Sequence, residues 1–357
     1  MNSLFGVSSR EPFIVAEIGK NFICAKEEVS FQRNLEMAFN LIHLAKEAGA
    51  DAVKFQTHVV DDEQAPMSYT TPHFSGMGRF EWVKRNTEST PPRFWKELAA
   101  FCAKEDIVFF SSPMSRGAAW RLEDVDPPLW KVGSGDLLDF VLLDYLAQTE
   151  KPIILSTGMS TVEEIDKAVN FLKRRKANIT VLHCVSKYPC PPQEQYLDTL
   201  AFLRERYSVP IGFSSHSLEI ESAVAAAALG VAVIEKHFTT NREAFGADHK
   251  VSLLPGEFKA MVGRIRSGEI LDPGVFGRGV KILDEVEAAF RPYFRKSLVY
   301  GQNVEKGVLL EPNMIYAMRP QLYLHGLPSE AYEEVLEKQL AQDRAKYEPI
   351  MATDFKA

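Results

Sequence analysis

The sequence predicts a (β/α)8 barrel followed by a small β-rich module, on three observations. Short apolar, β-branched runs alternate with amphipathic helical patterns from residue 13 to about residue 265. Eight such units follow one another, which suits a closed barrel better than an open doubly wound sheet. Nearly every strand begins apolar and finishes polar, as strands do when their carboxyl ends share one site.

In order, the strands are FIVAEIG (13–19), DAVKFQTH (51–58), IVFFSSP (107–113), LWKVGSG (129–135), PIILSTG (152–158), ITVLHCVS (179–186), PIGFSSHS (210–217) and VAVIEKHF (231–238). Stretches such as FQRNLEMAFNLIHLAKEAGA and TVEEIDKAVNFLKRRK lie between them, and SLEIESAVAAAALG closes on a glycine at the helix end. The long polar connection from Val59 to Pro91 reads as a loop over one mouth of the barrel. Residues 1–265 are thus expected to form the barrel, 266–293 a linker broken by LDPGVFGRGVK, and 294–357 the module. In that module short strands, a VEKG turn and one helix (Ser329 to Gln339) are expected. About 60 residues make a small independent core, so the module should pack on this barrel or on another subunit.

The 357 residues are 46% hydrophobic and 25% charged, ordinary globular material. A net charge of −7 argues against nucleic acid as the main partner. The basic cluster Lys173 to Lys176 reads as a solvated helix end. Four irregularly spaced cysteines (Cys24, Cys102, Cys184, Cys190) without a CxxC fit a reducing compartment. No apolar run approaches the roughly 20 residues of a membrane span, and Met1 to Glu11 lacks a signal-peptide pattern, so a cytoplasmic protein is expected.

Strand side chains alternate faces. Lys54, Gln56 and His58 therefore share a face, as do Ser214 with His216 and Glu235 with His237. Polar groups gathered in a barrel interior need a ligand or one another. Lys54 and Lys131 would aim two cations into one cavity among the hydroxyls of SSP, GSG, STG and SSHS, a description of an anion site for phosphate or carboxylate. His216 and His237, at matched depth on neighbouring strands, read equally as structural side chains or as a metal pair with open coordination positions. A closed zinc site would need four protein ligands. His43 and His73 read as a helix and a loop residue, and His183 as packing inside its strand.

Together these motifs resemble the sialic acid synthase (N-acylneuraminate synthase) family. The resemblance runs through VAEIG, AKEAGADAVKFQTH, FFSSPMS, WKVGSGDL, KPIILSTGMSTVEEI, VLHCVSKYP, IGFSSHS, IEKHFT and GADHKVSL, then KSLV, VEKG and MRP. It implies a barrel with a C-terminal domain like type III antifreeze protein, in a domain-swapped homodimer. The implied reaction is condensation of phosphoenolpyruvate with an amino-sugar aldehyde. Carried over residue by residue, it implies that His216 and His237 bind a divalent metal, Mn2+ or Mg2+. Lys54, Gln56, Ser112, Lys131, Ser134, Ser156 and Ser214 would hold phosphoenolpyruvate, with Ser186 where the family has an asparagine. Glu17, Tyr188, Glu235 and Asp248 would face the sugar, with Asn21 beside them. Arg319, in MRP, would reach across a dimer to the acyl group. Asp136, Glu17, Lys54 and Lys131 are expected to carry the chemistry.

Departures from the family pattern cluster on the sugar side. GSGD offers Asp136 where the family carries a glutamate to activate water. NFIC replaces NHNG, so Phe22 and Cys24 stand for a histidine and a glycine, and RPQ replaces RPG. The expected acceptor is therefore not plain N-acetylmannosamine. Two alternatives are a Schiff-base aldolase using Lys131 or Lys54 and a catalytically impaired sugar-binding homologue.

Overall fold

The structure is a computed structural model that describes residues 11–23, 30–71 and 76–356; Cys24, His73 and the first ten residues lie outside the described residues. All eight expected barrel strands form: β1 (Phe13–Gly19), β2 (Ala52–Thr57), β3 (Val108–Pro113), β4 (Trp130–Val132), β5 (Ile153–Ser156), β6 (Ile179–Cys184), β7 (Ile211–Ser215) and β8 (Val233–His237). They are parallel, in the order β3-β2-β1-β8-β7-β6-β5-β4. Seven of the eight seams carry ladder hydrogen bonds; β3 and β4 adjoin without one.

The interior shows why the strands change character along their length. Phe13, Val15, Phe110, Ile154, Leu182 and Val233 pack together as an apolar plug inside the barrel. Two residues further along, the same inward faces carry Glu17, Ser112, Ser156, Cys184 and Glu235. Hydrophobic burial thus seals the lower barrel and leaves the carboxyl end polar. β7 contributes Gly212 to the plug, where a Cβ would lie 2.3 Å from Leu182 Cδ2 and 2.7 Å from the Val233 carbonyl oxygen. Only a residue without a side chain lets the plug close there, and Ser214 follows it into the polar layer.

Helices surround the sheet, some with clear sequence causes. Thr161 and Glu164 cap helix Val162–Arg174 reciprocally. At its far end the basic cluster is the largely exposed helix end that was expected, and Arg174 and Arg175 in addition pair with Glu333 of the C-terminal module. The connection after β2 is partly helical, at Val60–Glu63 and Arg79–Ser89, not one continuous loop. Amphipathic spacing (Trp82, Val83 and Asn86 buried on one face) explains the second of these helices.

The module contains an antiparallel pair, β9 (Ser297–Tyr300) and β10 (Ile315–Met318). Its expected helix from Ser329 to Gln339 stops at Val335. Beyond it, backbone hydrogen bonds from Glu337 N to Leu310 O and from Leu340 N to Val308 O draw residues 337–340 into extended pairing. The module sits over the unladdered seam. Lys296 Nζ donates to Met114 O, just after β3, and to Asp139 Oδ2 (2.6 Å), just after β4. Arg116 donates to the carbonyls of Pro312 and Ile315. Ser329 donates to Leu138 O. No described helix is long and apolar enough to cross a membrane.

Candidate active site

A cavity opens at the carboxyl ends of the strands. At its base Lys54 Nζ lies 2.6 Å from Glu17 Oε2 and 3.7 Å from Glu235 Oε1, and donates to Ser112 Oγ at 3.1 Å. Lys131 Nζ approaches the same Glu235 oxygen at 3.6 Å. All four side chains are almost fully buried, so their charges interact far more strongly than on a surface. Burial alone would lower the Lys54 ammonium, but Glu17 and Glu235 outweigh it and the net shift is upward. Lys131, with less compensation from Glu235, is shifted down by burial. Glu235 shows the converse: burial is overcome by Lys131 and Lys54, which take its carboxyl to about 2. Glu17 is raised, because burial exceeds the pull of Lys54.

Hydroxyls fill one side. Ser134 Oγ accepts from Gly158 N, while Ser156 Oγ and Ser186 Oγ are buried without a hydrogen-bond partner among the described residues. Gly158 has no room for a side chain, since a Cβ would lie 2.1 Å from Ser186 Oγ and 2.7 Å from Ser134 Oγ. Unsatisfied buried hydroxyls beside a glycine and two ammonium groups form a cradle for anionic oxygens.

Above the base, the His216 and His237 rings lie 5.2 Å apart, with Tyr188 packed 4.2 Å from His216. His216 Nδ1 donates to Val185 O at 2.9 Å; burial would lower this imidazole, but Cys184 and the Val185 carbonyl outweigh it and the net shift is upward. His237 Nδ1 is buried without a hydrogen-bond partner among the described residues, and burial lowers this imidazole to about 3, leaving it neutral at physiological pH. Two imidazoles, one oriented by a carbonyl, fit a divalent metal with open positions. No group of three or more potential ligands occurs among the described residues, so water and substrate oxygens would complete any such site.

Asp136 lies at the cavity wall, gripped by Arg319 and by Lys296 Nζ at 2.9 Å. Arg319 arrives from its own chain, after β10, with its backbone N–H bonded to Glu63 O and its carbonyl accepting from Ala65 N. Gln56, Ser214 and Asp248 also line the cavity. Gln56 Nε2 donates to Glu17 Oε1, and Ser214 Oγ to Glu235 Oε1.

Two expected residues do not line it. The Asn21 amide donates to Phe238 O and Ser252 Oγ, tying the turn after β1 to the segments after β8. Ser186 stands behind Gly158, its N–H held by Glu287. Conversely, Lys20, Arg79, Trp82, Cys184, Phe290 and Phe294 line the cavity without having been singled out. His58, expected on the Lys54 face, instead bonds Glu63 at 2.6 Å and lies 3.5 Å from Lys20 Nζ; burial takes it down to about 4. A lysine after a strand glycine and an arginine in a polar connection carry no sequence mark of a pocket.

A barrel that gathers buried lysines, unsatisfied hydroxyls and carboxylates at its strand ends is built for chemistry on an anionic substrate. The chain belongs to the NeuB family, whose sequence profile matches residues 41–273, and it is an enzyme of that family. It is 32% identical over 328 residues to the N,N'-diacetyllegionaminic acid synthase of Campylobacter jejuni, covering 89% of this chain and 95% of the relative. With the human N-acetylneuraminate-9-phosphate synthase it shares 32% identity over 308 residues, 85% of this chain and 82% of the relative. The crystal structure of spore coat polysaccharide biosynthesis protein SpsE from Bacillus subtilis aligns with a TM-score of 0.76 at 28% identity, covering 97% of this chain and 96% of that one.

Proposed function

We propose that the chain is a condensing synthase that joins phosphoenolpyruvate to an amino-sugar aldehyde and releases phosphate, giving a sialic-acid-like nonulosonic acid. The observation that carries this reading is the convergence of Lys54 and Lys131 on one Glu235 oxygen in a cavity that the unsatisfied hydroxyl of Ser156 also lines. Phosphoenolpyruvate supplies the carboxylate and phosphate oxygens that this cradle lacks. The names of the synthase relatives support the same chemistry.

His216 and His237 would hold Mn2+ or Mg2+, which as a Lewis acid polarises the aldehyde. The chain's residues do the rest. Lys54, Lys131 and the serines fix phosphoenolpyruvate so that its C3 forms the new bond to the aldehyde carbon. Glu17, beside the acceptor, would relay a proton to the former aldehyde oxygen, a role suited to a carboxyl that burial shifts upward. Asp136, oriented by Arg319 and Lys296, places the water whose oxygen bonds to C2. The water gives one proton to Asp136 as it adds; the C2–O bond to phosphorus then breaks, phosphate leaves with that oxygen and takes up the remaining hydroxyl proton, and C2 becomes the keto carbon.

Arg319, Tyr188 and Asp248 would face the acceptor, whose class we take to be a diamino-trideoxy hexose rather than plain N-acetylmannosamine. The changed sugar side and the legionaminic and pseudaminic acid synthase relatives favour this. We extend the reading to a cytoplasmic homodimer whose antifreeze-like modules exchange, so that the contact between Arg319 and Asp136 would run between subunits. The test is a panel of amino-hexoses with phosphoenolpyruvate and Mn2+, scored by released phosphate and product mass. Phosphate release that needs neither aldose nor metal, or no release with any sugar, refutes the proposal.

A further inference from the structure

The segment joining barrel and module grips the anion cradle from behind. Helix Glu285–Phe294 carries Glu287, whose side chain is fully buried. Its Oε1 accepts from two backbone N–H groups, Met159 at 2.8 Å and Ser186 at 2.7 Å. Met159 follows Gly158 at the cavity wall and has φ +54°, the left-handed region that a residue with a side chain adopts only under constraint. The constraint is visible at its other end too. Met159 O accepts from Arg291 Nη1 at 2.9 Å and from Arg295 Nη2 at 3.0 Å. Both arginines are themselves anchored on Glu164, at 2.6 and 3.0 Å, and Glu164 caps the helix that follows. One short segment therefore holds both backbone polar groups of Met159, a residue in the left-handed region, together with the amide that places Ser186.

We infer that Glu287, Arg291 and Arg295 are positioning residues for the phosphoenolpyruvate cradle. They hold Met159 in its left-handed conformation, so that Ser156, Gly158 and Ser186 stay in register with Lys131. The proposal rests on the synthase reading for the identity of the ligand. Without an acceptor for the Met159 N–H the loop would relax to an ordinary φ and carry Gly158 away from Ser134. A buried carboxylate accepting two N–H groups from separate loops prevents that, and its loss frees both loops at once. The same helix places Phe290 and Phe294 on the cavity wall, so docking of this segment and formation of the cradle are one event.

The experiment compares Glu287→Ala and Glu287→Gln with wild type in the full chain. Amide hydrogen exchange is followed in ligand-free protein over residues 156–161 and at Ser186, and steady-state kinetics are measured for each substrate. The alanine variant is expected to exchange at least about tenfold faster at Met159 and Ser186, as the loss of a buried charge-assisted acceptor implies. Its KM for phosphoenolpyruvate rises about tenfold or more while that for the sugar moves less than about twofold. The glutamine variant keeps an acceptor oxygen and recovers most of both effects. Unchanged exchange, an equal rise in both KM values, or a glutamine variant as impaired as alanine overturns the proposal. Should Glu287→Ala fail to fold, Arg291→Ala, on a partly exposed side chain, must show the same split at smaller size, and its absence is equally decisive. If the wild-type enzyme consumes no phosphoenolpyruvate, the synthase reading falls, while the exchange result still decides the clamp.

Discussion

Replacing Lys54 by methionine tests the charge arrangement at the base of the cavity. The substitution keeps the length of the side chain and removes an ammonium that lies 2.6 Å from Glu17 and 3.7 Å from Glu235. Glu235 retains Lys131, whereas Glu17 keeps the Gln56 amide, 2.8 Å away, but loses the ammonium that contacts it. Stranding one member of a buried ion pair costs about 3–5 kcal/mol. A carboxylate can shed part of that by taking a proton, at about 1.4 kcal/mol per pH unit. Glu17 is already raised with Lys54 present, and losing the ammonium raises it further. An acid whose folded-state pKa lies above its unfolded value is penalised as pH rises through that interval. The deficit of Lys54→Met should therefore be about 3 kcal/mol near pH 7.5 and largely vanish near pH 5. Urea midpoints at the two pH values, followed by fluorescence, measure it. Adding Glu17→Gln should restore most of the stability near pH 7.5 and flatten the pH dependence, yet leave turnover abolished. A double variant no more stable than Lys54→Met, or a deficit equal at both pH values, refutes the reasoning.

Two further outcomes follow from the upper half of the site. His216→Ala and His237→Ala should each weaken divalent-metal binding, read by calorimetry, by about a hundredfold or more and abolish turnover, with unchanged circular dichroism; equal activity in metal-free buffer would remove both from the mechanism. Arg319→Ala should raise the KM for sugar about tenfold or more and that for phosphoenolpyruvate far less, as loss of one charge-assisted hydrogen bond implies; an equal effect on both contradicts the assignment to the acceptor.

Most of the barrel was legible because burial and chemistry occupy different lengths of each strand. The step from Phe13 and Val15 to Glu17, or from Val233 to Glu235 and His237, is a period-two pattern that any reading of the sequence can follow. The module was less so. The run YEEVLEKQL has helical spacing, but Leu340 and Glu337 gain more by pairing with residues 308–310, a long-range contact invisible to local propensity. Lys20, Arg79 and Trp82 escaped notice because two of them lie in a connection read as loop and the third follows a strand. Asn21 was placed near the sugar, whereas its amide is satisfied by Phe238 and Ser252. Glu287 carries no motif at all, and its role exists only once residues 159, 186 and 287 are brought together.

The barrel's one unlaced joint, between β3 and β4, is spanned by the Lys296 side chain, the first turn of whose own module begins there. Lys296 also touches Asp136, so the fastener that closes the cylinder and the group that steadies this cavity-wall carboxylate are the same atom. Removing the C-terminal sixty-odd residues would therefore do more than shed an accessory. It would unbuckle the hoop at the point where the wall of the reaction chamber is made.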